Sequence, residues 1–350
     1  MRIGLYGMPT SGKTYIMDRI DFMEVIVGSK LLRQFDPDFD KRDEAGREYD
    51  RRKVAEMMMA KKEFIMDGHY AFGKEIAFTE EEGKMYDVYI YIYIDPEVLK
   101  ERMLSSNKNL KYADNDIAAW QKCEIDGLRE YCHLHEKDFY VVDNPTDNAY
   151  INADEVIEFI RDIRNGYSCV EHAKRIADKI LKESSGDTIT LMDGDKTLTI
   201  EDSSNAVFGY NTHLYDGNFY TGFQSWKQNR EFETYRVPEI GKMPVHINGK
   251  VAEAAKENTY ILTSGHEKVW RFISEQLEIP FFYGTQMAAE TKYFVTSFLQ
   301  KAGKRVIAYG DGMNDYYMLK QADIGYLVLK QDGSISRSIK NLDLEGLIYV

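Results

Sequence analysis

One short segment near the N-terminus constrains the fold of this chain more than any other feature. Residues 7–14 read GMPTSGKT, which fits the pattern G-x-x-x-x-G-K-[ST] at every position. An apolar strand, residues 3–6, precedes the segment, and a helix is expected from Lys13 onward. Glycines let backbone N–H groups curl around phosphate oxygens, and the N-terminus of a helix adds partial positive charge. The segment therefore predicts a strand–loop–helix unit with a phosphate-binding loop (P-loop).

The residue types of this loop also predict which atoms meet a nucleotide. We expect the loop to hold ATP and Mg²⁺ through six residues: Gly7, Thr10, Ser11, Gly12, Lys13 and Thr14. Lys13 would act as the catalytic cation at the β- and γ-phosphates, and the Thr14 hydroxyl would bind Mg²⁺. A glycine-rich turn that binds no nucleotide is the open alternative.

The rest of the first half alternates between strands and helices. Strands are expected at residues 64–66, 87–94 and 139–142. Helices are expected at residues 48–62 and 153–164, with another from Pro96. Strands separated by helices pair in parallel through right-handed crossovers, so a parallel sheet is predicted here.

A second chemical motif begins at residue 188. The strand TITLM runs into Asp193 and Asp195 within the sequence DGDKTLT. Two carboxylates two residues apart can serve one Mg²⁺, the first through its side chain and the second through its backbone carbonyl. The first can then attack phosphorus, and the second can protonate the leaving oxygen. An acidic turn or a calcium loop is the alternative, although the glycine and glutamate of an EF-hand are misplaced.

Three later segments complete a set with this motif. The strand YIL leads into Thr263, Ser264 and Gly265, and Lys292 follows in the sequence ETK. The strand VIAYG then leads into DGMND, residues 311–315. In this order and spacing, the C-terminal part of the chain strongly resembles the haloacid dehalogenase superfamily of phosphohydrolases. The resemblance implies a Rossmann-like parallel sheet and a Mg²⁺-dependent phosphomonoesterase.

The same resemblance implies a role for each residue of the set. Asp193 would form an aspartyl-phosphate, and Asp195 would act as the general acid and then as the base for water. Ser264 or its neighbour Thr263 would bind a phosphoryl oxygen, with Gly265 beside them in the substrate site. Lys292 would offset the repulsion between the nucleophile and the phosphate. The expected magnesium ligands are Asp193, Asp195, Asp311 and Asp315.

The first half, about residues 1–145, resembles the nucleoside-monophosphate-kinase-like branch of the P-loop kinases. GSKLLR is similar to the segment that grips the acceptor nucleotide, with Arg33 as the phosphate contact. FIMDG ends in Asp67, for which we expect an acceptor-orienting or magnesium-water role. YIDP and the LKER that follows resemble the start of the lid helix, with Arg102 as a phosphate clamp. The alternatives are a solvated helix arginine for Arg33 and a turn-former for Asp67.

These motifs divide the chain into two domains of the α/β class, each a parallel sheet flanked by helices. We expect a P-loop kinase-like domain over residues 1–165, a helical linker over 166–186 and the phosphatase domain over 187–350. An insert at about residues 200–257 separates the first two phosphatase motifs and is expected to form a cap over the site. Its many aromatic side chains would either form the core of the cap or stack on a substrate base.

Composition argues against several classes of partner. The chain carries 45 Lys and Arg against 58 Asp and Glu, and the resulting net charge of −13 disfavours binding along a nucleic-acid backbone. No apolar run approaches the roughly 20 residues that a membrane-spanning helix needs. The three cysteines, Cys123, Cys132 and Cys169, are few and unpatterned, which favours a cytoplasmic protein without a disulfide or zinc framework.

Three hypotheses for function follow from these motifs. The leading one is a bifunctional enzyme that joins an ATP-dependent kinase of a nucleotide-like small molecule to a phosphatase of a small phosphorylated substrate. The kinase-then-phosphatase order is similar to that of polynucleotide kinase-phosphatases, so the repair of nucleic-acid ends is an alternative that the net charge disfavours. The third hypothesis is a phosphatase that is regulated by a nucleotide-sensing P-loop domain.

Overall fold

The computed structural model describes residues 1–73, 75–107, 109–144, 147, 149–208, 219–234 and 245–350. It divides into two compact units, Met1–Tyr167 and Ser168–Val350. Each unit has a parallel sheet flanked by helices. The predicted α/β class is therefore confirmed, and the boundary lies at the start of the segment that we expected to be a linker.

The sheet of the first unit has the strand order β2-β3-β1-β6-β7, and all its pairs are parallel. Its strands are β1 (Arg2–Gly7), β2 (Val25–Ile26), β3 (Phe64–Asp67), β6 (Val88–Ile92) and β7 (Asp138–Val142). A separate antiparallel hairpin pairs β4 (Ala71–Phe72) with β5 (Glu75–Ile76). The helices are α1 (Lys13–Met17), α2 (Gly28–Phe35), α3 (Glu44–Met58), α4 (Glu80–Met85), α5 (Pro96–Leu104), α6 (Ile117–Leu134) and α7 (Ala153–Arg164).

The two central strands of this sheet, β1 and β6, are buried on both faces. Every residue of β6 is buried, as is every residue of β1 after Arg2, because helices cover both faces of the sheet. Buried tyrosines in β6 keep their hydroxyls bonded: Tyr89 donates to the Gly83 carbonyl at 2.7 Å, and Tyr91 donates to Glu124 at 2.9 Å. The loop after β1 therefore begins at the carboxyl edge of a fixed central strand.

Helix α6 fastens the β4–β5 hairpin to this unit. The indole N–H of Trp120 donates to the carbonyl of Ala71 at 3.1 Å, and the N–H of Ala71 donates to Oε1 of Glu124 at 3.1 Å. The ring of Tyr70 lies against Gly127, where a Cβ would meet the Tyr70 hydroxyl. A two-residue strand alone is marginal, so these contacts hold the hairpin in place.

The sheet of the second unit has the strand order β10-β9-β8-β11-β12-β13, and all its pairs are parallel. Its strands are β8 (Thr188–Asp193), β9 (Thr259–Leu262), β10 (Phe281–Phe282), β11 (Arg305–Gly310), β12 (Ile324–Leu327) and β13 (Ile348–Tyr349). The helices are α8 (Cys169–Glu183), α9 (Ser203–Phe208), α10 (Gly222–Phe232), α11 (Gly249–Ala252), α12 (Glu267–Leu277), α13 (Ala289–Lys301) and α14 (Met313–Gln321).

Helix α8 falls inside the stretch that was expected to be a linker, yet it is part of the second unit. Its buried face, which includes Ala173, Ile176 and Ile180, packs in one apolar cluster with Phe294 and Val295 of α13. The spacing of these residues is that of an amphipathic helix against a core. A free linker would leave that face in water, and burial against α13 removes the apolar area from solvent.

The expected cap insert enters and leaves the second unit through a short paired segment. Thr199 bridges Ile247, and the N–H of Asn248 donates to the Leu198 carbonyl at 2.8 Å. Parts of the insert, at residues 209–218 and 235–244, lie outside the described residues. Within the described part, four aromatic side chains are buried, as expected for a core of the insert: Tyr220, Phe223, Trp226 and Phe232. In the described parts of the chain, helices that combine the length and apolarity needed to cross a bilayer are absent.

Candidate functional sites

The order of strands in the second unit brings the phosphatase motifs to one edge of the sheet. Strand β8 lies between β9 and β11, and the carboxyl ends of parallel strands share an edge. Asp193 is the last residue of β8, the segment 263–265 follows β9, and the segment 311–315 follows β11. Three motifs that are far apart in sequence therefore converge on one site.

Lys292 is the cation of this site. Its side chain is fully buried, and its Nζ donates to Oδ1 of Asp193 at 2.5 Å and to Oδ1 of Asp315 at 2.7 Å. Burial lowers the pKa of a lysine, but the two carboxylates outweigh burial and raise the pKa of Lys292 above its usual value. Lys292 therefore stays charged and holds the nucleophile candidate in place.

Three carboxylates form a group that suits a divalent cation. Oxygens of Asp193, Asp311 and Asp315 all lie within 4.8 Å of one another. Burial and the charge of Asp315 raise the pKa of Asp193 to about 7, and burial and the same charge raise the pKa of Asp311 well above its usual value. Close buried carboxylates repel one another, and oxygen ligands with excess negative charge fit Mg²⁺. These residues would hold the ion.

The side chain of Asp195 lies outside that group, and a magnesium contact through its backbone carbonyl stays a prediction. Its Oδ1 accepts a hydrogen bond from the N–H of Ser203 at 2.7 Å, at the first residue of α9. Burial, followed by the charge of Asp202, raises the pKa of Asp195 to about 6. Lys196, at a left-handed φ of 59°, turns the chain there and pairs with Asp202 at 2.9 Å. Asp195 is therefore fixed by the start of the insert.

The predicted hydroxyl segment has two different environments. The Ser264 hydroxyl donates to the carbonyl of Met287 at 2.6 Å and accepts from Nδ2 of Asn314 at 2.7 Å. The Thr263 hydroxyl instead accepts from the N–H of Gly265 at 3.0 Å, so these two residues close a local turn. Ser264 is thus the hydroxyl that links the second and fourth motifs.

The carbonyl of Met287 also holds the insert. Ser225 of α10 donates to it at 3.2 Å, and the N–H of Ala289 donates to the carbonyl of Tyr220 at 3.2 Å. Helix α13, which carries Lys292, begins at this point. Helix α10 is therefore anchored next to Ser264 by hydrogen bonds.

The P-loop of the first unit has the backbone that phosphate binding requires. Gly7 and Gly12 have φ values of 145° and 98°, and Thr10 has a left-handed φ of 68°. A Cβ on Gly7 would lie 2.9 Å from the carbonyl oxygen of Ile92 and 2.9 Å from the Ser11 hydroxyl, so only glycine fits there. The backbone conformation of the loop therefore requires glycine at position 7.

The polar groups of the loop fit a bound anion. The hydroxyls of Thr10 and Ser11 are buried and have no hydrogen-bond partner among the residues that the structure describes. The ammonium of Lys13 donates to the carbonyls of Gly7 and Met8. Burial lowers the pKa of Lys13 to about 8, and the charges of Glu124 and Asp67 partly offset that effect. A triphosphate would supply acceptors for these donors.

Thr14, the expected Mg²⁺ ligand, is exposed at the start of α1.

The three remaining predicted residues of the first unit lie in distinct settings. Asp67 ends β3 beside β1, and its Oδ1 accepts from the N–H of Gly28 at 2.7 Å, which fixes the start of α2. Arg102 donates to the carbonyl of Thr10 at 3.2 Å and so contacts the P-loop. Arg33 forms an exposed ion pair with Asp40 at 2.7 Å, which matches the solvated alternative for this arginine.

Sequence reasoning missed two charged residues in this unit. Glu124 is fully buried on α6 and acts electrostatically on Lys13, although a lone glutamate within a helix gives no sequence signal. Arg51 lies near Glu82 and faces the rings of Phe39 and Phe72, with distances of 5.8 and 5.9 Å to the ring centroids. Their positions come from tertiary packing.

The comparisons with known proteins agree with the second set of motifs. Residues 171–336 match the family of haloacid dehalogenase-like hydrolases. An uncharacterized protein of Methanocaldococcus jannaschii is 34% identical over 62 residues, which cover 18% of this chain and 67% of that protein. The family resemblance predicted for the C-terminal part is therefore confirmed.

Solved structures similar to this chain include proteins of two kinds. Shikimate kinase from Bacteroides thetaiotaomicron is 14% identical, with a TM-score of 0.34, and the match covers 47% of this chain and 98% of that one. Shikimate kinase from Aquifex aeolicus is 20% identical, with a TM-score of 0.34 and coverages of 47% and 97%. A phospho-aspartyl intermediate analogue of phosphoserine phosphatase is 15% identical, with a TM-score of 0.29 and coverages of 41% and 87%.

Proposed function

We propose that this chain, whose C-terminal region belongs to the haloacid dehalogenase-like hydrolases, hydrolyses a small phosphomonoester in its second unit. The observation that carries the proposal is the position of Lys292 between Asp193 and Asp315, with Asp311 beside them. A nucleophilic carboxylate needs a cation at this distance, because a phosphate dianion would otherwise be repelled.

The residues of the site would divide the reaction as follows. Asp193 attacks phosphorus and becomes an aspartyl-phosphate, while Asp195 gives its proton to the leaving oxygen. Asp195 then takes a proton from the water that hydrolyses the intermediate, which restores both side chains. Ser264 and Lys292 hold the phosphoryl oxygens. When bound to the carboxylate group, Mg²⁺ supplies charge neutralisation at phosphorus.

We further propose that the first unit binds ATP and transfers its γ-phosphate to a nucleotide-like small molecule. The buried hydroxyls of Thr10 and Ser11 and the ammonium of Lys13 support phosphate binding. Arg102, which already contacts the loop, would stabilise the transferred group. Asp67 would orient the acceptor from the neighbouring strand end. Arg33 would need to leave Asp40 to reach a phosphate of the acceptor.

Hydrolysis of p-nitrophenyl phosphate with Mg²⁺ tests the phosphatase proposal. Asp193→Asn should lower kcat by at least about a thousandfold, as expected for loss of a nucleophile. Asp178→Asn, an exposed aspartate on α8, is the matched control and should hydrolyse at the wild-type rate. Retained activity in Asp193→Asn would overturn the assignment of the nucleophile.

A second measurement separates the kinase from a nucleotide sensor. ATP turnover by the wild type is assayed with nucleoside monophosphates and with 5′-hydroxyl oligonucleotides as acceptors, and compared with Lys13→Ala. Turnover that needs a small acceptor and Lys13 supports the kinase, and transfer to oligonucleotides would support repair of nucleic-acid ends. ATP that binds without turnover, and changes the phosphatase rate only while Lys13 is present, would support the sensor.

A further inference from the structure

The indole of Trp270 is wedged beneath the two turns that carry the phosphatase residues. Trp270 lies on α12 and is fully buried. A Cβ on Gly194, the residue between Asp193 and Asp195, would lie 2.4 Å from Cζ2 of Trp270. A Cβ on Gly265, next to Ser264, would lie 2.2 Å from Nε1 of the same ring. Both turns therefore need glycine so that the indole can lie against their backbones.

The polar edge of this ring lies close to the general-acid candidate. A Cβ on Gly265 would lie 2.2 Å from Nε1 of Trp270 and 2.8 Å from Oδ2 of Asp195. The indole nitrogen and that carboxylate oxygen are therefore no more than about 5 Å apart. Oδ1 of Asp195 is already engaged by the N–H of Ser203, whereas Oδ2 is the oxygen on the Trp270 side.

The indole N–H itself is not satisfied. It is buried and has no hydrogen-bond acceptor among the described residues. A buried donor without an acceptor costs about 1–3 kcal/mol, and the tip of a buried Trp usually finds a partner. Trp120 in the first unit shows the usual arrangement, with its N–H on the Ala71 carbonyl. A phenylalanine would fill most of the Trp270 space without that penalty, so the N–H needs an explanation.

We infer that Trp270 is a positioning residue for Asp195: its ring spaces the two catalytic turns, and its N–H binds the Asp195 carboxylate when that side chain turns toward the leaving group. This inference rests on the proposed phosphatase function. The ring supports the backbones of Gly194 and Gly265, and a small rotation of Asp195 brings Oδ2 to the indole. The N–H then takes over part of the role that Ser203 has in the described arrangement.

Leaving-group dependence tests this role, because an acid matters most when the leaving oxygen is basic. kcat/KM is measured for p-nitrophenyl phosphate, a good leaving group, and for phenyl phosphate, a poor one of similar shape. Trp270→Phe should lower kcat/KM for phenyl phosphate at least about threefold more than for p-nitrophenyl phosphate. Asp195→Asn sets the upper limit of that difference, and Trp226→Phe is the matched control, with an equal and small effect on both substrates.

Equal losses of kcat/KM for the two substrates would mean that Trp270 serves only packing, which would contradict the inference. Unchanged values of kcat/KM would contradict it as well. If the wild type hydrolyses neither ester, the proposed function itself has failed, which is a distinct result. A second measurement is independent of whether Trp270→Phe folds. It uses the fluorescence of a double variant, Trp120→Phe with Trp226→Phe, in which Trp270 is the remaining tryptophan. Mg²⁺ with fluoroberyllate should change its emission, and constant emission would contradict the proposed contact.

Discussion

The Nζ atom of Lys292 lies 2.5 Å from Oδ1 of Asp193, although 99 residues separate the two in the sequence. The same nitrogen contacts Asp315, so one buried cation faces two buried carboxylates. With Asp311 beside them, the group carries excess negative charge that one lysine cannot balance. Activity and stability of the second unit should therefore both depend on this lysine and on a divalent cation.

Lys292→Met should destabilise the second unit by about 3–5 kcal/mol, because it leaves two buried carboxylates without their cation. Urea unfolding followed by tryptophan fluorescence measures the change. Added Mg²⁺ should narrow the difference in unfolding free energy from the wild type, because the variant lacks the lysine charge beside the carboxylates and therefore binds the ion more tightly. Lys304→Met, at a partly exposed lysine of the same unit, is the control. A difference in unfolding free energy that does not change with Mg²⁺ would argue against the carboxylate group as an ion site.

Gly265→Ala should destabilise the second unit by about 1–3 kcal/mol and strongly reduce hydrolysis, because the new methyl group would meet Trp270 and Asp195. Gly249→Ala is the matched comparison, since a Cβ there meets no atom within 4 Å. That variant should be neutral or slightly more stable. Calorimetry and initial rates measure both effects, and similar behaviour of the two variants would contradict the wedge geometry.

Gly12→Ala should abolish ATP binding, because its φ of 98° is unfavourable for alanine and the loop would change shape. Gly166→Ala provides a matched strain control: its φ is 106°, and, as at Gly12, a Cβ there meets nothing within 4 Å. Both variants should lose about 1 kcal/mol or more of stability. Titration calorimetry with Mg-ATP should separate them, and equal ATP affinity would count against the loop as the nucleotide site.

Glu82→Gln should change how the stability of the first unit depends on pH. Glu82 accepts a hydrogen bond from the Tyr6 hydroxyl at 2.5 Å, and burial raises its pKa to about 7 from an ordinary 4.5. The folded state therefore binds more protons than the unfolded state between these values, and stability falls as pH rises from about 4.5 to 7. Unfolding midpoints at several pH values should show a smaller fall in the variant. If the unfolding midpoints of both proteins change with pH in the same way, the raised pKa of Glu82 is contradicted.

The regular elements of both units were predictable where the local pattern was strong. The strands near residues 3–6, 64–66, 139–142 and 188–192 were recognised from apolar runs that end in turn residues. The strand expected over 87–94 is shorter, Val88–Ile92, and the helix expected over 48–62 spans Glu44–Met58. Asp43 explains the earlier start of that helix, since its carboxylate accepts from the N–H of Gly46 at 2.9 Å.

Other features depend on contacts that no local pattern encodes. The strand pairs β4–β5 and β12–β13 involve two-residue strands that are held by the rest of their units. The P-loop and the four phosphatase motifs were predicted because their chemistry needs fixed spacings. Glu124 and Trp270 were not, because each reaches its site from a helix whose sequence alone shows only burial. The phosphate contact of Arg33 stays a prediction, because a matching motif does not determine where a long side chain finds its ion pair.

The double anchoring of Ala71 has a consequence for the time scale of solvent exchange. Its N–H and its carbonyl are both bound by side chains of α6, so its amide can meet water only when α6 separates from the hairpin. In so short a strand, most amide hydrogens exchange with solvent quickly, because local fraying exposes them. The Ala71 amide should instead exchange as slowly as those of β1 and β6, and so report the opening of the whole first unit from a position at its periphery.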